Sequence, residues 1–312
     1  MSALEETPAV RVPVLYVTDL RYNAFDPADL FDLAFLLRSP RHELRGVCLS
    51  EPASDGDLIL DALSVRTRQN IPLVRGADGF AAALRDAPEP LNVAVVAGFG
   101  AVAAILALDR ALFREKVGRL FLVGGHANDY ALMPFSPLLP IDPRLRDRHP
   151  ERFAVSGDTR IGSSDAEQAA FETLLTSGES VIWLPRDISL WRYAAPGVLA
   201  DGGETTEFLL RELFYFHLEN TPDRYDAADA PVLLSALPAF LLALQPDPFA
   251  WMRLFRVVTA RVATNEKGRV TAIATRTDTP NLYAVIAIDS QALGKLLTAN
   301  LRDRPLPTTA AL

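Results

Sequence analysis

The stretch VLYVTDLRYNAFDPADLFDLAFLL, residues 14–37, decides how this chain folds. Val14 to Thr18 is a short run rich in β-branched and aromatic residues, the composition of a strand covered on both faces. It ends at Asp19, and from about Pro27 to Arg38 the pattern becomes helical. Asp26 has the signature of an N-cap, Pro27 of the first helical position and Asp29 of the third. Asp32 lies one turn further on, on the face of Asp29 by i,i+3 spacing. Its neighbours Leu33, Phe35, Leu36 and Leu37 are apolar, so an acid there is costly unless something pairs with it.

The same alternation repeats outward from this unit. Leu44–Ser50 leads to a helix over Asp57–Arg68, and Asn92–Ala97 leads to Ala101–Leu108. Arg119–Val123 is a further strand, and a helix over Ala166–Thr176 precedes the strand Val181–Pro185. Strands alternating with helices predict an α/β fold, a doubly wound and mostly parallel sheet. From Arg253 to Ser290 the pattern changes to alternating strands joined by a turn at Asn265–Gly268, and a closing helix runs from about Gln291 to Leu301. This predicts a C-terminal β-hairpin extension of the main sheet, with residues 1–312 forming a single domain. The Pro-, Asp- and Arg-rich stretch from His126 to Ser164 has little periodicity, and so long a loop in a compact domain is usually functional.

Composition narrows the function. The chain has 312 residues, 49% hydrophobic and 22% charged, with a formal net charge of −8. An acidic balance argues against nucleic acid or an anionic membrane surface as partner. The longest apolar stretch, Val232 to Leu244, contains Ser235 and Pro238 and is too short to span a bilayer. The first residues, MSALEETPAVRVP, lack the basic-then-apolar pattern of a secretion signal, so a cytoplasmic protein is expected. The single cysteine, Cys48, excludes an intramolecular disulfide and sits in an apolar run, as a buried thiol would.

In an open parallel sheet, ligands bind beyond the carboxyl ends of the strands, and Asp19 is delivered to that edge. A cluster of strand-end and helix-start carboxylates suits a hard cation such as Ca²⁺. His126, after Gly124-Gly125, and His217, in FYFHLEN, are candidates for protonating a leaving group. Trp191 and Tyr193 follow the strand at Val181–Pro185, where an aromatic ring can stack on a planar base. No dinucleotide, P-loop or nucleophile-elbow motif is present.

Taken in order, these blocks resemble the inosine–uridine-preferring nucleoside hydrolase family. That family opens with DxDxGxDDALAL and a segment like SPEIELLGI, and residues 14–47 here are similar. NIPLVRGAD resembles its IPVYAGAD, NVAVVAGFGAVAAILAL its VTLVALGPLTNIALAL, and VGRLFLVGG its IKEIVIMGG. The run from Ser163 to Ser189 is similar to VDPEAAKIVFESGLPITMVPLDVT, and QPDPF and the final hairpin also have counterparts. The resemblance spans roughly residues 12 to 302.

It implies cleavage of the N-glycosidic bond of ribonucleosides, with Ca²⁺ holding the attacking water and an aspartate as base, in a homodimer or homotetramer. By position it makes Asp19 the base and a metal ligand, Asp32 a bidentate metal ligand, and the backbone carbonyl near Leu122 a further one. Other positions depart from the family pattern. The first acid of DxD is Val17, the acid before Asp32 is Phe31, and Asp29 is a substitute one turn earlier. Arg160 aligns with a sugar-binding asparagine. Counting back from Gln245-Pro246 without gaps brings the last metal aspartate to Ala236; a helix two turns longer brings it to Asp229. Two expectations therefore stand: a hydrolase of ribonucleosides or a related glycoside, or a repurposed relative that binds a nucleoside-like or anionic ligand.

Overall fold

The computed structural model describes residues 11–20, 27–49, 55–125, 164–186, 191–195, 199, 203–220, 232–245, 247, 254–264, 270–274 and 282–302. Its central strand is β1 (Val12–Thr18), in which side chains alternate between two apolar layers. Val14 and Tyr16 join one core and Leu15 and Val17 the other, the two-residue period of a strand buried on both faces. On one side β1 pairs in parallel with β2 (His42–Leu49), which pairs with the short edge strand β3 (Leu73–Arg75). On the other side follow β4 (Leu91–Val95), β5 (Val117–Val123) and β6 (Val181–Leu184), all parallel.

The strand order is β10-β9-β11-β6-β5-β4-β1-β2-β3. β11 (Leu282–Ile288) runs parallel to β6, while β9 (Phe255–Thr264) and β10 (Val270–Ala274) add an antiparallel ribbon at the far edge. The C-terminal hairpin thus extends the main sheet, as the alternating pattern predicts; its turn at Asn265–Gly268 lies outside the described residues. A separate antiparallel pair is formed by β7 (Trp191–Tyr193) and β8 (Val232–Leu234).

The helices divide between the two faces. α1 (Ala28–Arg38), α2 (Asp55–Thr67), α7 (Glu204–Asn220), α8 (Leu237–Ala243) and α9 (Ser290–Leu301) contribute to one core. α3 (Gly76–Asp86), α4 (Phe99–Leu108), α5 (Arg110–Lys116) and α6 (Asp165–Thr176) form the other. Every residue of α1 from Ala28 to Leu37 is buried, because the sheet lies on one side and α7, α8, α9 and β8 contact the other. This accounts for its apolar residues on all faces, and for the care with which its acids are partnered.

The apolar run Val232–Leu244 is divided, with β8 first and α8 after it, and Pro238 stands in the first turn of α8, where its missing N–H costs no helical bond. Short as it is, α8 is bonded at both ends and in the middle. Ala236 N–H donates to Asp32 at its start, and the Phe240 carbonyl accepts from His42 Nε2 at 2.9 Å. At its end Arg119, on β5, donates to the carbonyls of Leu242 at 2.9 Å, Ala243 at 2.6 Å and Gln245. Cys48 is fully buried in β2, and burial pushes its thiol up to about 11. Among the described residues no helix is long and apolar enough to cross a membrane.

Candidate functional site at the carboxyl edge of the sheet

The chain leaves β1 toward β2 on one side and later places β4 on the other, so the connections diverge between β1 and β4. Such a switch point leaves a crevice beyond the strand ends, the usual binding place of a doubly wound sheet. Pairing of the two strands continues to Val96, whose N–H donates to the Val17 carbonyl at 2.9 Å. Asp19 stands one residue beyond β1 at this edge and is exposed.

Behind Asp19 the structure assembles a buried polar cluster. Asp29, 8% exposed, accepts hydrogen bonds from the Tyr16 hydroxyl at 3.1 Å and from the Thr18 hydroxyl. Tyr16 and Thr18 share a face of β1 because a strand alternates every residue, and that face meets the first turn of α1. Asp32, 1% exposed, accepts the backbone N–H of Ala236 at 3.1 Å, and Ala236 is itself fully buried. The anionic character of the cluster registers on Tyr16. Burial first, then the charges of Asp29 and Asp32, hold its hydroxyl well above the ordinary phenol range.

The first turn of α1 differs from the sequence expectation. Pro27 occupies the cap position, with its carbonyl accepting from Leu30 and Phe31, and no side chain caps the helix. Asp26 lies outside the described residues. Asp29 turns inward to the strand hydroxyls.

At the neighbouring strand end, Gly98 adopts φ +71° and turns the chain into α4. There the Glu167 carboxylate, from α6, accepts the N–H groups of Phe99 at 2.7 Å and Gly100 at 3.1 Å. A carboxylate at a helix N-terminus meets orphan donors and the positive end of the helix dipole. Gly100 leaves room for it, since a Cβ there would lie 2.9 Å from Glu167 Oε1.

The other expected site residues are dispersed or lie outside the described residues. Leu122 is buried in β5, in register with Val95 of β4 and Trp183 of β6. His217 is half-buried in the last turn of α7, edge-on to Phe216. Trp191, 4% exposed, packs edge-on to Tyr193, and both line an open groove of about 450 Å³ against α9, with Ser290, Lys295, Thr298 and Arg302. The Tyr193 hydroxyl is bonded to Thr298 at 2.8 Å, and burial pushes it up to about 12. His126, Arg160 and Asp229 lie outside the described residues.

Sequence reasoning passed over Tyr16, Thr18 and Glu167, and it singled out Ala236 only as a position, not as a donor. For the first two, the available signal was their period-two spacing beside a helix carrying two acids.

The calcium ion implied by the resemblance can be tested against these donors. Among the described residues, no group of three His, Cys, Asp or Glu side chains is placed to hold a metal ion. Asp32 already accepts an amide proton, Asp29 accepts two hydroxyl protons, and Ala236 carries no ligating atom in its side chain. The described set therefore does not fit a cation that needs six to eight oxygens.

Comparison with solved structures matches this architecture over nearly its whole length. A plant nucleoside hydrolase superposes with a TM-score of 0.62 at 15% identity, covering 95% of this chain and 100% of the other. A purine-preferring ribonucleoside hydrolase from Gardnerella vaginalis gives 0.59 at 12% identity, covering 93% and 98%. The chain has the nucleoside hydrolase fold. A third structure of this shape, the type III effector protein XopQ complexed with adenosine diphosphate ribose, gives 0.54 at 17% identity, covering 95% and 94%. No family model and no curated protein matches the sequence.

Proposed function

We propose that this chain hydrolyses the N-glycosidic bond of a ribonucleoside or a related glycoside at the edge between β1 and β4. The observation that carries the proposal is the exposed Asp19 at the end of β1, in front of the buried carboxylates Asp29 and Asp32. In this mechanism Asp19 takes a proton from water as the water oxygen bonds to the anomeric carbon. The C–N bond breaks with its electron pair leaving on the base, which gains a proton from His126 or His217. The sugar passes through an oxocarbenium-like state, which an anionic wall stabilises. Arg160 is the proposed contact to the rest of the ligand.

A second reading is supported by the bond between Asp32 and Ala236, which engages a carboxylate that the resemblance makes a metal ligand. In it the chain binds a nucleoside-like or anionic ribosyl ligand without turning it over, and XopQ is an example of this fold in complex with such a molecule. The two readings separate in one experiment on the purified protein with a panel of purine and pyrimidine nucleosides. Release of free base supports hydrolysis; calorimetric binding without release supports the second reading; neither result refutes both. A homodimer or homotetramer belongs to the proposal on the resemblance alone, and sedimentation showing only monomer at micromolar concentration would exclude it.

A further inference from the structure

We infer that Asp32 is not a cation ligand in this protein: the backbone N–H of Ala236 takes the place of the ion, and the strand-edge site is built without a divalent metal at that position. It rests on the strand-edge site proposed above but not on turnover there.

Three observations carry it. First, the ungapped count back from Gln245 brings the family's last metal aspartate to Ala236, and the structure puts Ala236 immediately before α8, against Asp32. The missing carboxylate is thus replaced in space by a neutral donor, which removes one of the negative charges that would hold a cation there. Second, the Ala236 N–H donates to Oδ2 of Asp32 at 3.1 Å and takes up one of that oxygen's lone pairs, leaving the carboxylate fewer positions for an ion. The donor is fixed in place. Its helix is held by His42 at the Phe240 carbonyl and by Arg119 at the last carbonyls. Third, the remaining acids are replaced or committed. Phe31, fully buried and edge-on to Tyr193, fills the place of the acid before Asp32, and both oxygens of Asp29 accept from hydroxyls of β1.

The test is metal content by mass spectrometry and thermal stability of the full chain in calcium and in EDTA, compared with Asp32→Asn. Asparagine keeps the acceptor for the Ala236 N–H but carries no charge and cannot bind calcium through two oxygens. The expected result is the same melting temperature of the parent in millimolar calcium and in EDTA, and no calcium response in Asp32→Asn. A bound ion that persists in Asp32→Asn also agrees with the inference. Stoichiometric calcium lost in Asp32→Asn, or a stabilisation of the parent by calcium that the variant lacks, overturns it. An ion at 100-fold its Kd raises Tm by several degrees, which the measurement resolves readily. The readout of the parent requires no variant to fold. Base release that persists in EDTA supports the inference, and release that requires calcium in the parent but that calcium no longer supports in Asp32→Asn overturns it while leaving hydrolysis intact. Absent release from an EDTA-insensitive protein refutes hydrolysis and leaves the inference standing.

Discussion

Replacing Asp29 by asparagine puts the buried cluster behind the strand edge to a quantitative test. The carboxylate accepts from the hydroxyls of Tyr16 and Thr18, and all three residues are buried. Hydrogen bonds to a charged group contribute about 1.5–3 kcal/mol, against about 0.5–1.5 kcal/mol for neutral pairs. Asparagine preserves the shape and one acceptor, but its amide group faces a hydroxyl that must turn round to accept. Weakening two bonds by roughly 1 kcal/mol each gives a loss of about 2 kcal/mol. An opposing term exists, because a neutral amide costs less to bury than a carboxylate. Two donors aimed at the carboxylate favour the first term. The expected outcome in urea denaturation is a lower midpoint at unchanged slope, with Tm falling by about 3 °C. Combining Asp29→Asn with Thr18→Val in a double-mutant cycle should return a coupling of about 1 kcal/mol. If Asp29→Asn is as stable as the parent, or more so, desolvation dominates and the hydroxyls do not hold the carboxylate as argued.

Other perturbations follow from the same contacts. His42 is neutral in the fold and its pKa is lowered to about 4, chiefly by burial. The unfolded chain takes up this proton near pH 6.5, so the stability His42 lends is complete above that pH. It falls by about 3 kcal/mol as the pH drops to about 4 and then levels off; thermal melts of parent and His42→Phe between these limits should diverge accordingly, and equal slopes would refute the assignment. Arg119→Met strips α8 of the donors at its last carbonyls and should cost at least 2 kcal/mol in chemical denaturation, roughly the contribution of one charge-assisted bond. Glu167→Gln should lower stability by about 1 kcal/mol through loss of charge at the start of α4. Cys48 should resist a thiol-specific reagent in the native protein and react fully in denaturant, since it is buried with its thiol pushed up to about 11.

The sheet was legible in the sequence because buried parallel strands and their covering helices impose strong local patterns. Val14–Thr18, Arg119–Val123 and Val181–Pro185 all correspond to strands, with ends shifted by two residues or fewer. The extension after Arg253 was equally plain, since its period changes to two. The site was less legible for a physical reason. Asp19, Asp29 and Asp32 stand out as acids, yet what each one meets is set by contacts distant along the chain. Tyr16 and Thr18 read as ordinary strand residues until the fold sets them against Asp29. The partner of Asp32 is a backbone N–H some 204 positions away, and a backbone donor leaves no mark in a pattern of side chains. Ala236 carries a meaning only where the count from Gln245 shows which residue it replaces.

The measurement that bears most directly on the account is kcat/KM for release of free base by the parent and by Asp19→Asn. Asp19 is exposed at the end of β1, so its replacement should leave Tm essentially unchanged. Removal of a general base should lower kcat/KM by about 10²- to 10⁴-fold. Base release undiminished in Asp19→Asn would contradict the account.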